Sequence, residues 1–418
     1  MPTNPPKPNT VTINYQDPYT LNAIKNAIQN KLPQLQVIEN SKQSDQIEIG
    51  AIQISDYDNI DWELVQRFPK EVIVNAYPIR KALIRKNYLS KTLYFYFNKF
   101  IPQTWRFELA YFDELDELFL DELYELNQVL LNQDLKISNY EDQEWFILKP
   151  ALAERGQGIR LFNSIEGLEN IFKEFDQEDE DDDEEDEENL DQTGVSSSKM
   201  RHWVIQRYLS NPLLIGPADV PITERRKHHL RVYVLAVGAL SVYVYKDILA
   251  LFASQPYTKP SSESLNLSSH LTNTCLQSPT DQQSTVKLLS TLANEWKGID
   301  LKSIENQIDE IVNQTFLAAN KEPVNFQTRK NCWEIFGFDF LIDDSMKVWL
   351  LEVNACPDFK QTGDNLSNTI LGLFEGALEI AVNPFIEGST IKEWNAEDKE
   401  VRYGYRKCLD INLLGGIQ

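Results

Sequence analysis

Two stretches toward the end of the chain, Phe336-Gly337-Phe338-Asp339-Phe340 and Trp349-Leu350-Leu351-Glu352-Val353-Asn354, read as neighbouring strands that carry polar groups among apolar ones. Successive side chains of a strand point to opposite faces. Alternation therefore sends Glu352 and Asn354 to one face and Leu351 and Val353 to the other, so that Asp339, Glu352 and Asn354 share one mouth of a sheet. One carboxylate at a strand end sits comfortably in water, whereas two among apolar neighbours are costly to bury without a cation. Two carboxylates and an amide oxygen are hard ligands of the kind that suit Mg²⁺, which leaves positions open for nucleotide phosphates.

With 418 residues and 42% apolar content, the chain can bury a large core divided between two or three closely joined domains. The start is Pro-rich and polar, and no apolar run reaches the length of a membrane span, so no membrane partner is expected. Val232 to Phe252, interrupted by Lys246 and Asp247 and turning at Gly238, reads as paired strands. Cys275, Cys332, Cys356 and Cys408 lack paired metal spacing, which implies a reduced, cytoplasmic or nuclear setting. The formal charge is −24, but 14 acidic residues fall between Glu174 and Asp191, and without them it would be −10. Such a body gives no support for direct nucleic-acid binding.

Along the chain, Thr10 to Asn14, Tyr19 to Leu32 and Gln46 to Ile52 alternate strand and helix patterns in a small α/β unit with a disordered start, residues 1–85. Arg80, Lys81, Arg85, Lys86 and Lys91 then precede Tyr94 to Phe97. This patch fits either a plain amphipathic helix or the rim of a groove for an acidic peptide. Asp113 to Asn132 has helical periodicity, Glu144 to Pro150 and Trp203 to Tyr208 read as buried strands, and Ile299 to Leu317 and Leu366 to Val382 as helices. Between the two buried strands, 174–199 is too acidic and Ser-rich to fold by itself and reads as a mobile insertion; a second Ser-rich loop runs from Pro256 to Ser269.

Trp145 to Pro150 places Lys149 at the end of an apolar strand, and Arg155-Gly156-Gln157-Gly158-Ile159 follows after a turn. Glycines such as Gly156 and Gly158 let backbone N–H groups approach phosphate, and Lys149 and Arg155 add charge there, although a Lys-Pro strand end before a Gly-x-Gly hairpin can equally be a turn. Taken with Trp203 to Tyr208, Lys227-His228-His229-Leu230-Arg231, His270-Leu271-Thr272-Asn273 and the acidic pair of strands, the order of motifs resembles the tubulin tyrosine ligase-like family. That family is an ATP-grasp group of ligases that join a carboxylate to an amine. The resemblance runs from about Asn75-Ala76-Tyr77-Pro78 to Asn354.

It implies an α+β fold in which a small N-terminal α/β unit precedes two ATP-grasp lobes, 86–206 and 207–390, with a C-terminal extension at 391–418. It also implies that Lys149 contacts nucleotide phosphates, that Gln206, Tyr208 and Leu209 line an adenine slot, and that Lys227 lies beside the adenosine. Arg231 resembles the cation that orients the reacting carboxylate or acyl-phosphate, Thr272 and Asn273 approach nucleotide and substrate, and Asp339, Glu352 and Asn354 match Mg²⁺ ligands. His270 fits a packed residue that fixes its loop.

Departures from the family pattern are also present. His228 and His229 stand where Phe and an acidic residue are usual, Tyr245-Lys246-Asp247 where Arg-Glu-Gly is common, and Leu251 where a second Arg often stands. Lys246 then becomes the hairpin cation for the substrate carboxylate, with one point charge where Arg offers a two-pronged grip. These features look more like the fungal branch of the family, whose members include ligase-like domains associated with cytoplasmic processing bodies. Two functions follow from the resemblance. One is an ATP- and Mg²⁺-dependent ligase that adds an amino acid to an acidic protein tail such as the tubulin C-terminus. The other is an ATP-grasp binding module that receives a peptide of an mRNA-decapping factor.

Overall fold

The structure is a computed structural model that describes residues 5–38, 49–135, 143–152, 157–182, 201–261, 267–272, 285–296, 298–360, 366–389, 394 and 400–411. Strand β1 (Thr10–Asn14), helix α1 (Pro18–Lys31), β2 (Gln36–Ile38), β3 (Ile52–Ser55), helix α2 (Trp62–Arg67) and β4 (Ile73–Val74) form the first unit. Its strands pair in parallel in the order β2-β1-β3-β4. Helix α1 starts where the Asp17 carboxylate accepts the Thr20 N–H at 2.9 Å and Pro18 presets the first turn. It buries Thr20, Ile24, Ala27 and Ile28, one face of a 3.6-residue period. Residues 39–48 lie outside the described set, and the strand expected at Gln46 to Ile52 begins only at Ile52 because the Gly50 and Ala51 N–H groups bond to the Thr12 and Thr10 hydroxyls instead of a ladder.

Helices α3 (Lys81–Ile84) and α4 (Lys86–Tyr96), joined at an extended Arg85, lead to a central unit. Its elements are β5 (Thr104–Glu108), helix α5 (Tyr124–Leu135), β6 (Phe146–Pro150), β7 (Arg160–Phe162), helix α6 (Ile165–Asp182) and β8 (His202–Arg207). The strands make an antiparallel sheet in the order β5-β8-β6-β7. Phe146, Leu148, Trp203 and Ile205 pack into a core with Leu126, Leu130, Leu168 and Phe172 from the helices. The intervening residues, Ile147, Lys149, Val204 and Gln206, face the other way. The helix expected over Asp113 to Asn132 is interrupted between Leu118 and Tyr124, where the Leu123 N–H reaches Leu118 O and both Phe119 and Leu123 bury. The acidic run opens inside α6, which continues to Asp182; 183–200 lie outside the described residues.

The largest sheet is antiparallel and eight-stranded. It contains β9 (His228–Val237), β10 (Ser241–Tyr245), β11 (Leu249–Phe252), β12 (Val286–Leu288), β13 (Trp333–Ile342), β14 (Val348–Ala355), β15 (Val401–Arg402) and β16 (Tyr405–Asp410), with helix α7 (Leu301–Asn320) before β13 and α8 (Ser367–Ala377) after β14. Strand β9 is central: β13 pairs along one edge, while β11 and β10 share the other. On one face Leu230, Val232 and Val234 pack with Phe336, Phe338 and Phe340 beneath Ile304, Ile308 and Ile311 of α7. Those three phenylalanines are fully buried, and each contributes roughly 1.5–3 kcal/mol. On the other face Tyr233, Leu235 and Tyr243 pack with residues of α1 and α8.

The C-terminal residues are integral to this sheet rather than appended to it, since β16 pairs with β10 over Tyr405 to Asp410. Contrary to the expectation of no span-length apolar run, Ser367–Glu387 is long and apolar enough to cross a membrane; its Ile370, Leu373, Ala377 and Ile380 are instead buried in the core. Of the four cysteines, Cys332 is buried, Cys356 exposed and Cys408 half-buried.

Candidate active site between two sheets

Between the polar-facing side of the central sheet and the β11 end of the largest sheet lies a cleft of about 520 Å³, the size of a small-ligand site. On the central-sheet wall, β6 and β8 bring Lys149 and Gln206 together. The Lys149 ammonium donates to Gln206 Oε1 at 3.0 Å, and Gln206 Nε2 donates to Thr104 Oγ1 at 3.2 Å. On the opposite wall, alternation along β9 turns Lys227, His229 and Arg231 into the cleft while His228, Leu230 and Val232 face away. The Lys227 ammonium lies 4.3 Å above the Tyr208 ring and donates to its hydroxyl at 2.9 Å. That hydroxyl is also 2.9 Å from His270 Nδ1, so the buried His270 is a packed residue holding its loop.

A row of charged groups crosses three adjacent strands, with Arg231 of β9 opposite Asp339 of β13 and Asp339 opposite Glu352 of β14. Arg231 Nε donates to Asp339 Oδ1 at 2.5 Å and its Nη2 to Oδ2 at 3.1 Å. Gly337 makes room for this grip, because a Cβ there would meet Pro357 Cβ at 2.9 Å and Arg231 Cδ at 3.3 Å. Asn354 Nδ2 reaches Asp339 Oδ2 at 3.0 Å and Glu352 Oε1 at 3.4 Å, and the Lys86 ammonium stands 3.7 Å from Glu352 Oε2. A bulge shifts the register after Asp339, pairing Phe340 with Leu350, so Leu351 is skipped. As a result Leu351 lines the cleft beside Glu352, where plain alternation had placed it on the far face.

Burial dominates the electrostatics. It pushes the Lys149 ammonium down to about 8 against the pull of Glu352, and the Lys227 ammonium, which Lys149 repels, down to about 7. His229 is held neutral, down to about 3, by burial and by Arg231. Burial would raise Glu352 too, but Lys86, Lys149 and Arg231 together outweigh it and keep it ionised. Asp339 is pushed up to about 6 by burial against the Arg231 charge.

Among the described residues no three His, Cys, Asp or Glu side chains converge as a metal cluster. The acidic pair with Asn354 still fits Mg²⁺, which takes few protein ligands. Asn354 already touches both carboxylates, and turning its amide over presents an oxygen to the same point.

The cleft brings together Lys149, Gln206, Tyr208, Leu209, Lys227, Arg231, Thr272, Asp339, Glu352 and Asn354. Gly158 adopts φ 68° between Gln157 and Ile159, both of which line the cleft. Arg155, Gly156 and Asn273 lie outside the described residues. Lys246 is not among the residues lining the cleft; it is half-exposed just past the end of β10, 3.8 Å from Asp247, with its N–H on Gly404 O. The basic patch also divides. Arg80, buried 2.8 Å from Glu334 and 3.9 Å above the Tyr57 ring, lines the cleft with Arg85 and Lys86, whereas Lys81, Lys91 and Tyr94 to Tyr96 are exposed. Sequence reasoning placed Lys86 in the basic patch but did not name it as the partner of Glu352.

Nucleotide binding in this cleft is expected to take up protons. In the empty cleft Lys227 loses its proton around pH 7 and Lys149 around pH 8, and a bound triphosphate would return both to the charged form, so affinity weakens as pH rises from about 7 toward about 9. Calorimetry in buffers of different ionisation enthalpy measures the uptake. Binding without buffer or pH dependence would remove the lysines from phosphate contact.

Residues 65–390 match the model of the "Tubulin-tyrosine ligase family". A probable tubulin–tyrosine ligase of Schizosaccharomyces pombe is 40% identical over 91% of this chain and 93% of its own length. The probable tubulin–tyrosine ligase PBY1 of Saccharomyces cerevisiae is 36% identical over 98% of this chain, which spans 56% of that longer protein. Among solved structures, the C-terminal domain of K. lactis Pby1, described as an ATP-grasp enzyme interacting with the mRNA decapping enzyme Dcp2, aligns with a TM-score of 0.66 at 29% identity, covering 96% of this chain and 99% of that one.

Proposed function

The chain belongs to the tubulin-tyrosine ligase family, and from that premise we propose that it is an ATP-dependent ligase that joins an amino acid to a carboxylate of an acidic protein tail. The observation that carries this reading is the row Arg231, Asp339, Glu352 facing Lys149 and Gln206 across one cleft. A carboxylate is a poor electrophile, and phosphorylation by ATP to an acyl-phosphate lets an amine displace phosphate. In this reading Lys149 holds the phosphates, with Arg155, Gly156 and Gly158 as their hairpin. Gln206, Tyr208 and Leu209 receive the adenine, Lys227 lies beside the adenosine, and Thr272 and Asn273 serve as contacts to nucleotide and substrate. Asp339, Glu352 and Asn354 hold Mg²⁺, which when bound neutralises charge on the transferred phosphoryl group. Arg231, which lies against Asp339, would orient the substrate carboxylate.

A second reading is favoured by two observations. Leu251 lines the cleft where a cation would grip a substrate, and Lys246 is outside it. The protein is then an ATP-grasp module that binds a decapping-factor peptide in cytoplasmic processing bodies, with little ligase activity. Incubation with ATP, Mg²⁺, labelled amino acids and either tubulin or acidic peptides separates the two. Label in the acceptor supports the ligase, and ATP binding with no incorporation across all acceptors supports the module.

A further inference from the structure

His229 is 6% exposed, and its Nε2 has no hydrogen-bond partner. An unpaired buried polar atom costs about 1–3 kcal/mol, so the arrangement is retained against a cost. Nδ1 lies 2.6 Å from Thr272 Oγ1, and Nε2 stands 3.8 Å from Asp339 Oδ1, too far for a hydrogen bond. Donors in adjacent positions on one divalent ion, with bonds of about 2.1 Å, lie roughly 3 Å apart, so a small turn of the ring sets Nε2 and Oδ1 about a single ion. A histidine that ligates a metal characteristically donates its other ring N–H, which fixes the tautomer. Here Nδ1 is the nitrogen that meets Thr272 Oγ1, and the tautomer that donates there would leave the unpartnered Nε2 with a lone pair for a metal. Asp339 Oδ1 accepts from Arg231 Nε and keeps a second lone pair.

We propose that His229 ligates the divalent cation of this cleft through Nε2 beside Asp339, which makes the site one for a first-row transition dication in preference to Mg²⁺. The proposal rests on reading the cleft as a nucleotide–metal site. A nitrogen donor raises affinity for transition dications, whereas Mg²⁺ gains little from it.

The test uses the full chain with Mn²⁺ and a non-hydrolysable ATP analogue, read by electron spin-echo modulation. Wild type is expected to show nitrogen coupled to Mn²⁺ that changes on ¹⁵N-histidine labelling, which separates it from adenine nitrogen. His229→Gln loses the coupling, and its preference for Mn²⁺ over Mg²⁺ falls about tenfold. His270→Gln keeps the coupling. Thr272→Val, which retains the imidazole but frees it, weakens Mn²⁺ binding without removing the histidine signal. If wild type binds no Mn²⁺ with the analogue, the proposal and the nucleotide–metal reading fall together. Mn²⁺ bound without histidine coupling, or unchanged Mn²⁺ affinity in both the 229 and 272 variants, overturns the ligand assignment alone.

Discussion

Glu352→Gln is expected to lower ATP-dependent turnover by about a hundredfold or more while the fold survives, because charge stabilisation of phosphoryl transfer is worth several kcal/mol. The side chain is 28% exposed, and Lys86, 3.7 Å away, together with Lys149 and Arg231 keeps its carboxylate ionised across any practical assay range. Glutamine preserves the volume and can still meet Asn354, so the charge facing the metal is what disappears. Lys86 and Lys149 then confront a cation with one carboxylate fewer between them. Turnover measured against Mg²⁺ and Mn²⁺ concentration, alongside a thermal melt, separates the two effects. A variant with wild-type turnover and wild-type metal dependence would remove Glu352 from the metal set.

Arg406→Ala should destabilise the protein by about 3–5 kcal/mol, the cost of leaving the buried Asp309 carboxylate without its cation. Arg406 is 3% exposed on β16 and reaches across to α7, with Nη2 3.2 Å from Asp309 Oδ1 and Nη1 3.5 Å from Glu305 Oε1. It joins the last strand to the helix that covers the phenylalanine core. Urea unfolding of the single variant and of Arg406→Met combined with Asp309→Leu measures this. The double variant should recover most of the loss, since an apolar pair of similar size does not strand a charge. A single variant within about 0.5 kcal/mol of wild type would show the pair to be solvated and of little consequence.

The α+β class and the ATP-grasp likeness were legible because they rest on short-range patterns. Alternation along Phe336 to Phe340 and Glu352 to Asn354 is local, and so is the apolar period of α1 and α7. What escaped depends on partners distant in sequence. The bulge at Leu351 is a property of how β14 meets β13, and neither strand alone encodes it. Lys246 follows a strand whose neighbour is β16 and gives its N–H to Gly404 O, a long-range pairing that its own sequence does not announce. Arg80 reads as a surface cation within its basic run, yet Glu334, far along the chain, draws it inside. The short strands β15 and β16 carry too little periodicity to reveal that they complete the largest sheet. Within the site, Lys149, Gln206 and Lys227 were found because a strand end or a motif marked them, whereas the service of Lys86 to Glu352 required the fold.

The row of Arg231, Asp339 and Glu352 constrains how this protein can change over evolutionary time. Each member reaches the cleft by its odd or even place along a strand, so its parity matters more to the site than the length of the connections. A single inserted residue early in β13 would turn Asp339 into the hydrocarbon layer and offer Phe340 to the ligand, a loss no neighbouring substitution could repair. Two inserted residues would keep the face but move the carboxylate one step off Arg231. The turn between β13 and β14, where Asp343 bonds to Ser345 and Lys347, lies beyond the row and can lengthen without disturbing it. Insertions and deletions among descendants of this sequence should therefore gather in that turn and be purged from the strands on either side.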